Sequence, residues 1–225
     1  MNIKCFSCND FSELCYVISN DNNEAIVIDP GFCFEQERLA FSKYISDNNL
    51  TIKRVLNTHL HVDHILGNRF IQNTYGVGAE ASEKDEPLLE NMFAYASMFG
   101  LVGHSFSEKD FRDKLEANPL VGNLKENDVV AIDGIRLKVL EIPGHTMGHL
   151  AYYCEEEKCI FVGDILFCGS IGRTDLAGGD PRDMQKLLVE GIHAKILCLP
   201  GDTEVFPGHG MSTTVEHEKL NNMYL

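Results

Sequence analysis

Thr58-His59-Leu60-His61-Val62-Asp63-His64 is the stretch on which the reading of this chain turns. It follows the apolar pair Val55-Leu56 and gathers three imidazoles and a carboxylate between positions 59 and 64. Extended residues two apart share a face, so a strand entering the segment places His59 and His61 on one side of the chain. Asp63 and His64 then open a helix, with Asp63 near its electropositive N-terminus. Imidazole nitrogen and carboxylate oxygen suit zinc and similar divalent ions. The stretch therefore reads as the centre of a metal site rather than as a polar loop.

Working outward, residues 3–8, 13–18 and 24–29 read as short successive strands, the last stopped at Asp29-Pro30-Gly31. Residues 34–47 carry apolar side chains at helical spacing, and 52–57 form the strand that delivers the histidines. Beyond them, 83–100 reads as one helix, acidic in its first turn and ending at Gly100. Residues 103–127 are polar and irregular: a lid or substrate-facing loop within an 83–127 segment, or a surface excursion packed on the domain. Strands return on either side of Asp133-Gly134, a strong hairpin signal, and again at 150–154 and 159–163. A helix at 181–193, a strand at 203–206 and a C-terminal helix from about 213 complete the pattern. An opening antiparallel meander followed by alternating strand and helix predicts a layered α/β architecture in a single domain spanning 1–225.

The totals exclude several function classes. With 19 basic and 34 acidic residues among 225, the formal charge is −15. Such a surface repels phosphate backbones and anionic lipid, so neither nucleic acid nor a membrane is expected as a partner. The N-terminus lacks a basic region followed by an apolar core, and no apolar run is long enough to span a bilayer. The eight cysteines, Cys198 among them, lie in apolar, strand-like contexts and read mostly as small buried thiols of a cytoplasmic protein. Cys5 and Cys8 form a C-x-x-C with no second pair and no βαβ context to support a redox or metal role. Oligomeric state is not legible.

Three further candidate ligands sit at strand ends or in glycine-bounded turns. They are His145 in Ile142-Pro143-Gly144-His145-Thr146, Asp164 after Ile160-Phe161-Val162-Gly163, and His209 in Pro207-Gly208-His209-Gly210. Glycine permits close approach of the backbone to a site, and strand-end loops are where a rigid sheet aims functional groups. With the first cluster they supply five histidines and two aspartates, enough for two metals.

In this order, T-H-L-H-V-D-H, P-G-H-T, G-D and P-G-H-G resemble the metallo-β-lactamase superfamily over essentially the whole chain. The resemblance implies an αββα sandwich of two mixed β-sheets flanked by helices. It implies that His59, His61 and His145 bind one metal, that Asp63, His64 and His209 bind another, and that Asp164 bridges them. His145-Thr146-Met147-Gly148-His149, Gly172-Arg173-Thr174-Asp175-Leu176 and Gly178-Gly179-Asp180 are most similar to the glyoxalase II group. Larger members continue into a helical domain with basic residues for glutathione. Here only residues 210–225 follow His209, with Lys219 their one basic side chain besides His217. The chain thus resembles the short glyoxalase II-like hydrolases, and the thiol carrier is left open.

The implied reaction is hydrolysis of a small-molecule thioester, such as S-D-lactoylglutathione, by a hydroxide shared between two ions about 3.5–4 Å apart. Asp63 would help orient that hydroxide. His149 is read as supporting the ligands from behind or facing the substrate, beside a purely structural reading. Arg173 is read as holding acidic partners around the site. Zinc is the expected metal, with iron and manganese open because such mixed donor sets accept all three. Alternatives are a persulfide dioxygenase with a single non-haem iron and a lactonase or esterase of the same fold. A true β-lactamase fits less well, since those enzymes usually place Cys or Ser where Asp164 stands. The superfamily's nucleases are disfavoured by the acidic surface, and a non-catalytic module by the complete ligand set.

Overall fold

The computed structural model describes residues 1–176 and 179–225, so Gly178 of the glycine pair lies outside the described residues. Strands β1 (Asn2–Cys8), β2 (Glu13–Ser19), β3 (Glu24–Ile28), β4 (Thr51–Leu56), β5 (Ala79–Ala81) and β6 (Gly122–Asn123) form the first sheet in that order. Its first two pairings are antiparallel and the remaining three parallel. The second sheet has the order β14 (Thr213–Thr214), β13 (Glu204–Pro207), β10 (Cys159–Gly163), β9 (Leu150–Cys154), β8 (Ile135–Glu141) and β7 (Val129–Ile132), parallel only between β10 and β13. A small hairpin, β11 (Leu166–Phe167) with β12 (Ser170–Ile171), stands apart.

The alternation of strand side chains explains the layers. Tyr16, Ile18, Ile26 and Ile28 face inward and meet Leu137, Val139, Leu150, Tyr152 and Phe161 of the other sheet. Their neighbours Val17, Ala25 and Val27 face outward onto α1 (Glu35–Asp47) and α3 (Asn68–Tyr75) through Phe41, Ile45 and Ile71. On the far side Ala151, Tyr153, Ile160 and Val162 pack on Leu188 and Ile192 of α7 (Pro181–Lys195). Central strands buried on both faces read as continuous apolar runs, and the result is the expected αββα sandwich. The last helix is α8 (Val215–Asn221). Among the described residues, no helix is long and apolar enough to cross a membrane.

The segment after β5 departs from the single helix expected over 83–100. A 3-10 turn at Glu83–Asp85 leads into α4 (Glu86–Glu90) and α5 (Met92–Met98). The break falls at Asn91, whose side-chain amide donates to the Pro87 carbonyl (2.7 Å) and closes α4. The stretch 103–127 is likewise less irregular than its composition suggests. It contains α6 (Glu108–Lys114), capped by Ser107, and the edge strand β6. Met92, Ala96, Leu101, Phe111 and Leu115 bury a separate cluster against Leu60, Val62, Ile65 and Leu66, the residues around the first histidines.

Most of the thiols are buried, as expected: Cys8, Cys15, Cys33, Cys154 and Cys159. Cys5, Cys168 and Cys198 are exposed, and Cys198 sits in the turn after α7 rather than in a strand. Cys5 and Cys8 are three apart on one strand and so face opposite sides of the sheet, which excludes joint ligation.

Phe41 anchors the outer aromatic cluster, fully buried and within 4.6 to 6.3 Å of the Phe32, Phe6, Tyr75 and Phe70 ring centres. Its replacement by alanine removes a ring that little else can fill. Phe41→Ala should lower unfolding free energy by about 3–5 kcal/mol in urea titrations; a loss below about 1 kcal/mol would mean that the helix layer collapses onto the gap.

Candidate metal centre

Every candidate ligand lies at, or just past, the C-terminal end of a strand. β4 ends at Leu56 and releases residues 57–64, whose second half forms the short helix α2 (Val62–Ile65). His145 follows β8, Asp164 follows β10 and His209 follows β13. These ends meet at one edge of the sandwich. His59, His61 and His145 there form one group of mutually close donor atoms, and Asp63, His64 and His209 a second. Asp164 lies between them, Oδ1 3.4 Å from His64 Nε2 and Oδ2 3.7 Å from His145 Nε2 and 3.6 Å from His209 Nε2. Gly208 makes this approach possible: a Cβ there would stand 2.3 Å from Asp164 Oδ1 and 2.7 Å from the His64 ring.

Hydrogen bonds on the outer ring nitrogens fix which lone pairs face inward. His145 Nδ1–H donates to the Arg173 carbonyl (2.7 Å) and His209 Nδ1–H to the Phe11 carbonyl (3.0 Å). His64 Nδ1–H points at Asp29 Oδ2 (3.1 Å). The Thr58 hydroxyl spends its one proton on Asp29 Oδ2 (2.6 Å), so it accepts from His59 Nδ1–H (3.1 Å). Four rings thereby turn Nε2 toward the same small space. His59 Nε2 and His61 Nδ1 stand 3.0 Å apart.

Those inward atoms supply the test of fit for a metal. Nε2 of His64 and of His145 and Oδ1 of Asp164 are buried without any hydrogen-bond partner, as is His61 Nε2. Leaving such groups unsatisfied costs about 1–3 kcal/mol each, and a divalent cation is the partner that their donor chemistry suits. The local charges agree. Burial, reinforced by neighbouring imidazoles, holds His59 well below its ordinary pKa and His61 at about 3, and burial also lowers His145. These rings are neutral, as ligands must be. Burial works against charge on Asp164 and on His64 alike, yet each stabilises the ionised form of the other. Asp164 is held below the carboxylate range and His64 well above the imidazole range.

His149 does not face the cleft. It is fully buried and stacked on the His59 ring with centroids 4.6 Å apart. Its Nδ1–H donates to the Leu150 carbonyl (3.1 Å), and Nε2 accepts from the Asp164 backbone N–H (3.2 Å). Both nitrogens are spoken for, so it steadies Asp164 and has no free atom for substrate. Arg173 holds His145 through its backbone carbonyl, while its guanidinium forms a bidentate pair with Asp175 (2.7 and 2.6 Å). His104, His193 and His217 are exposed, in keeping with their lack of motif context. Cys168, His217 and Glu218 lie close together, but Glu218 is already saturated by Gly169 N–H, the Thr213 hydroxyl and the Asn222 amide.

Four residues escaped the sequence reading. Asp29 was visible only as a strand stop, yet it orients His64 and, through Thr58, His59. Phe11 and Phe99 line a cleft of about 230 Å³ above the donor atoms, with Val62, Leu176 and Arg173. The two rings meet edge to face at 6.2 Å, so the 83–127 segment does reach the site. Asp85, buried behind the ligand loops, bonds to Thr146 and Gly148.

Known proteins share this fold. The model of the metallo-beta-lactamase superfamily matches residues 8–209. Hydroxyacylglutathione hydrolase GloC of Haemophilus influenzae is 34% identical, over 100% of this chain and 98% of its own. Among solved structures, BLEG-1 B3 metallo-beta-lactamase superposes with a TM-score of 0.85 at 30% identity, covering 100% of this chain and 99% of that one. TTHA1623 in a di-iron-bound form gives 0.81 at 30% identity, covering 99% and 100%. The fold implies divalent metal binding, and the donor set described above is suited to it. On the match that spans nearly the whole chain, this protein belongs to the metallo-beta-lactamase superfamily.

Proposed function

We propose that the protein is a binuclear metal-dependent hydrolase of small-molecule thioesters, acting in the cytoplasm as a single catalytic domain. The observation that carries the two-metal part is Asp164, whose carboxylate lies between the two donor triads, Oδ1 beside His64 and Oδ2 beside both His145 and His209. His59, His61 and His145 would hold one ion, Asp63, His64 and His209 the other, most naturally zinc. Bound there, divalent ions lower the pKa of water toward ~7 and polarise a carbonyl oxygen.

The chain's own residues do the rest. Asp29 accepts from His64 Nδ1–H and, through Thr58, fixes His59, so that both rings keep Nε2 turned toward the site. Asp63, with His64 beside it holding its carboxyl below the usual range although burial opposes this, stays ionised at the mouth of the site. Phe11, Phe99 and Leu176 offer an apolar wall to an acyl chain or thiol arm and keep bulk water from that side. A thiolate departs without a proton donor, and the described lining contains no lysine, tyrosine or cysteine to act as one.

The choice of thioester is supported by the full-length likeness to a hydroxyacylglutathione hydrolase. Among the described residues the one arginine or lysine in the cleft lining, Arg173, is already paired with Asp175, so recognition falls on the acyl-sulfur portion more than on a polyanionic carrier. The surface charge of −15 points the same way, toward a small molecule and away from nucleic acid. A second reading, β-lactam opening, is favoured by the full-length superposition on a B3 metallo-beta-lactamase.

Elemental analysis of protein purified without added metal, paired with S-D-lactoylglutathione hydrolysis on the same sample, tests the proposal. The expected result is close to two metals per chain and thioester cleavage that His59→Ala abolishes. One iron per chain with oxygen uptake on a persulfide would replace the reading with a dioxygenase, and nitrocefin opening without thioesterase activity would favour the second reading. Asp29→Ala removes the acceptor for Thr58 and His64 and places alanine at a φ of 48°. Chelator competition should show metal affinity down about 10–100-fold; unchanged affinity would deny Asp29 its orienting role.

A further inference from the structure

Asp85 lies at the end of the 3-10 turn that opens the helical segment after β5, outside both donor triads. It is 2% exposed. Its Oδ2 accepts from the Thr146 hydroxyl (2.7 Å) and, at longer range, from Leu60 N–H (3.4 Å), while Oδ1 accepts from Gly148 N–H (2.7 Å). Leu60 stands between His59 and His61, and Thr146 is the neighbour of His145. One carboxylate therefore bonds to both loops that supply the first triad. The contact is close-fitting: a Cβ on Gly148 would lie 2.7 Å from Asp85 Oδ1 and 2.9 Å from the Asp85 backbone nitrogen. A backbone bond from Leu150 N–H to the Thr58 carbonyl (2.7 Å) joins the same loops farther from the ligand rings.

The second triad is held differently. His64 rests on Asp29, His209 on the Phe11 carbonyl, and Asp63 rides on the same short helix as His64. No Asp85 bond reaches these residues or their immediate neighbours. We infer that Asp85 is a positioning residue that presets the spacing of His59, His61 and His145, so that the two metal positions differ in affinity and in what each depends on. The inference rests on the two-metal reading proposed above. It also gives the helical segment two attachments to the site, since the chain that begins at Asp85 continues to Phe99 in the cleft wall.

Cobalt(II) titration of the apoprotein, followed by visible absorption and chelator competition, reads this directly without any turnover. The native protein should take up two cobalt ions, whereas Asp85→Ala should bind one with native affinity and the other at least about tenfold more weakly. Asp85→Asn keeps an oxygen for Gly148 N–H and a polar partner for the Thr146 hydroxyl, and should recover most of the difference. In a His59→Ala background, which disables the same triad, Asp85→Ala should leave the remaining cobalt affinity unchanged. Ile45→Ala, a core truncation in α1, calibrates the effect of lost stability alone. Equal weakening of both ions, matched by Ile45→Ala at the same melting temperature, would overturn the positioning role, as would two ions held with native affinity in Asp85→Ala. One cobalt in the native protein would bring down the two-metal reading itself, and this inference with it.

Discussion

Buried imidazole nitrogens and a carboxylate oxygen with no hydrogen-bond partner are the constraint around which this structure is arranged. Desolvated lone pairs are unfavourable, and a chain left to itself would turn them to water or to one another. Here the alternatives are closed. Asp29, the Phe11 carbonyl and the Arg173 carbonyl each occupy an outer ring nitrogen, so a ring cannot flip without losing a bond it already has. The site is thereby kept in the state that a cation requires before any cation arrives, and the ordering entropy is spent in folding rather than in binding.

Rigid sheets make that possible. The inner faces of β2, β3, β8, β9 and β10 interlock through Ile18, Ile26, Val139, Tyr152 and Phe161, all fully buried. Side chains near the seam also tie the framework to the loops: Tyr152 donates its hydroxyl to the Asn57 carbonyl (2.6 Å) and Tyr16 to the Pro207 carbonyl (2.7 Å). Each hydroxyl reaches the backbone two residues before a ligand histidine. Core packing and ligand placement are thus one set of contacts, and their uncertainty in position is that of a strand, not of a free loop.

How much of this was legible follows from where the information sits. The strands β1 to β4 and β7 to β10 announce themselves by apolar alternation and by Pro, Gly and Asp-Gly stops, and the ligands by the density of histidine beside those stops. Strands β5, β6 and β14 have two or three residues each, too few for a period to show. The helix expected over 83–100 failed because its apolar spacing continues through Asn91, and only the side-chain bond back to Pro87 reveals the break. Asp85 looked like an ordinary acidic residue of a first helical turn, which is the strongest local reading of such a residue. Its partners are Leu60, Thr146 and Gly148, distant in sequence, so nothing local could have marked it. Phe11 and Phe99 were hidden for the same reason.

The placing of His149 has a broader meaning. Four residues after His145, it read as supporting the ligands from behind, as facing the substrate, or as purely structural. The structure gives it one bond to a backbone carbonyl and one from the Asp164 N–H, and lays it flat on His59, which is the first of these. Such a ring acts on chemistry only through the groups that it holds. The contrast with His145 lies in the ring nitrogens: one of its two is bare and aimed at other donors, which suits a ligand. In His149 both are engaged, and the ring is framework that keeps its neighbours still.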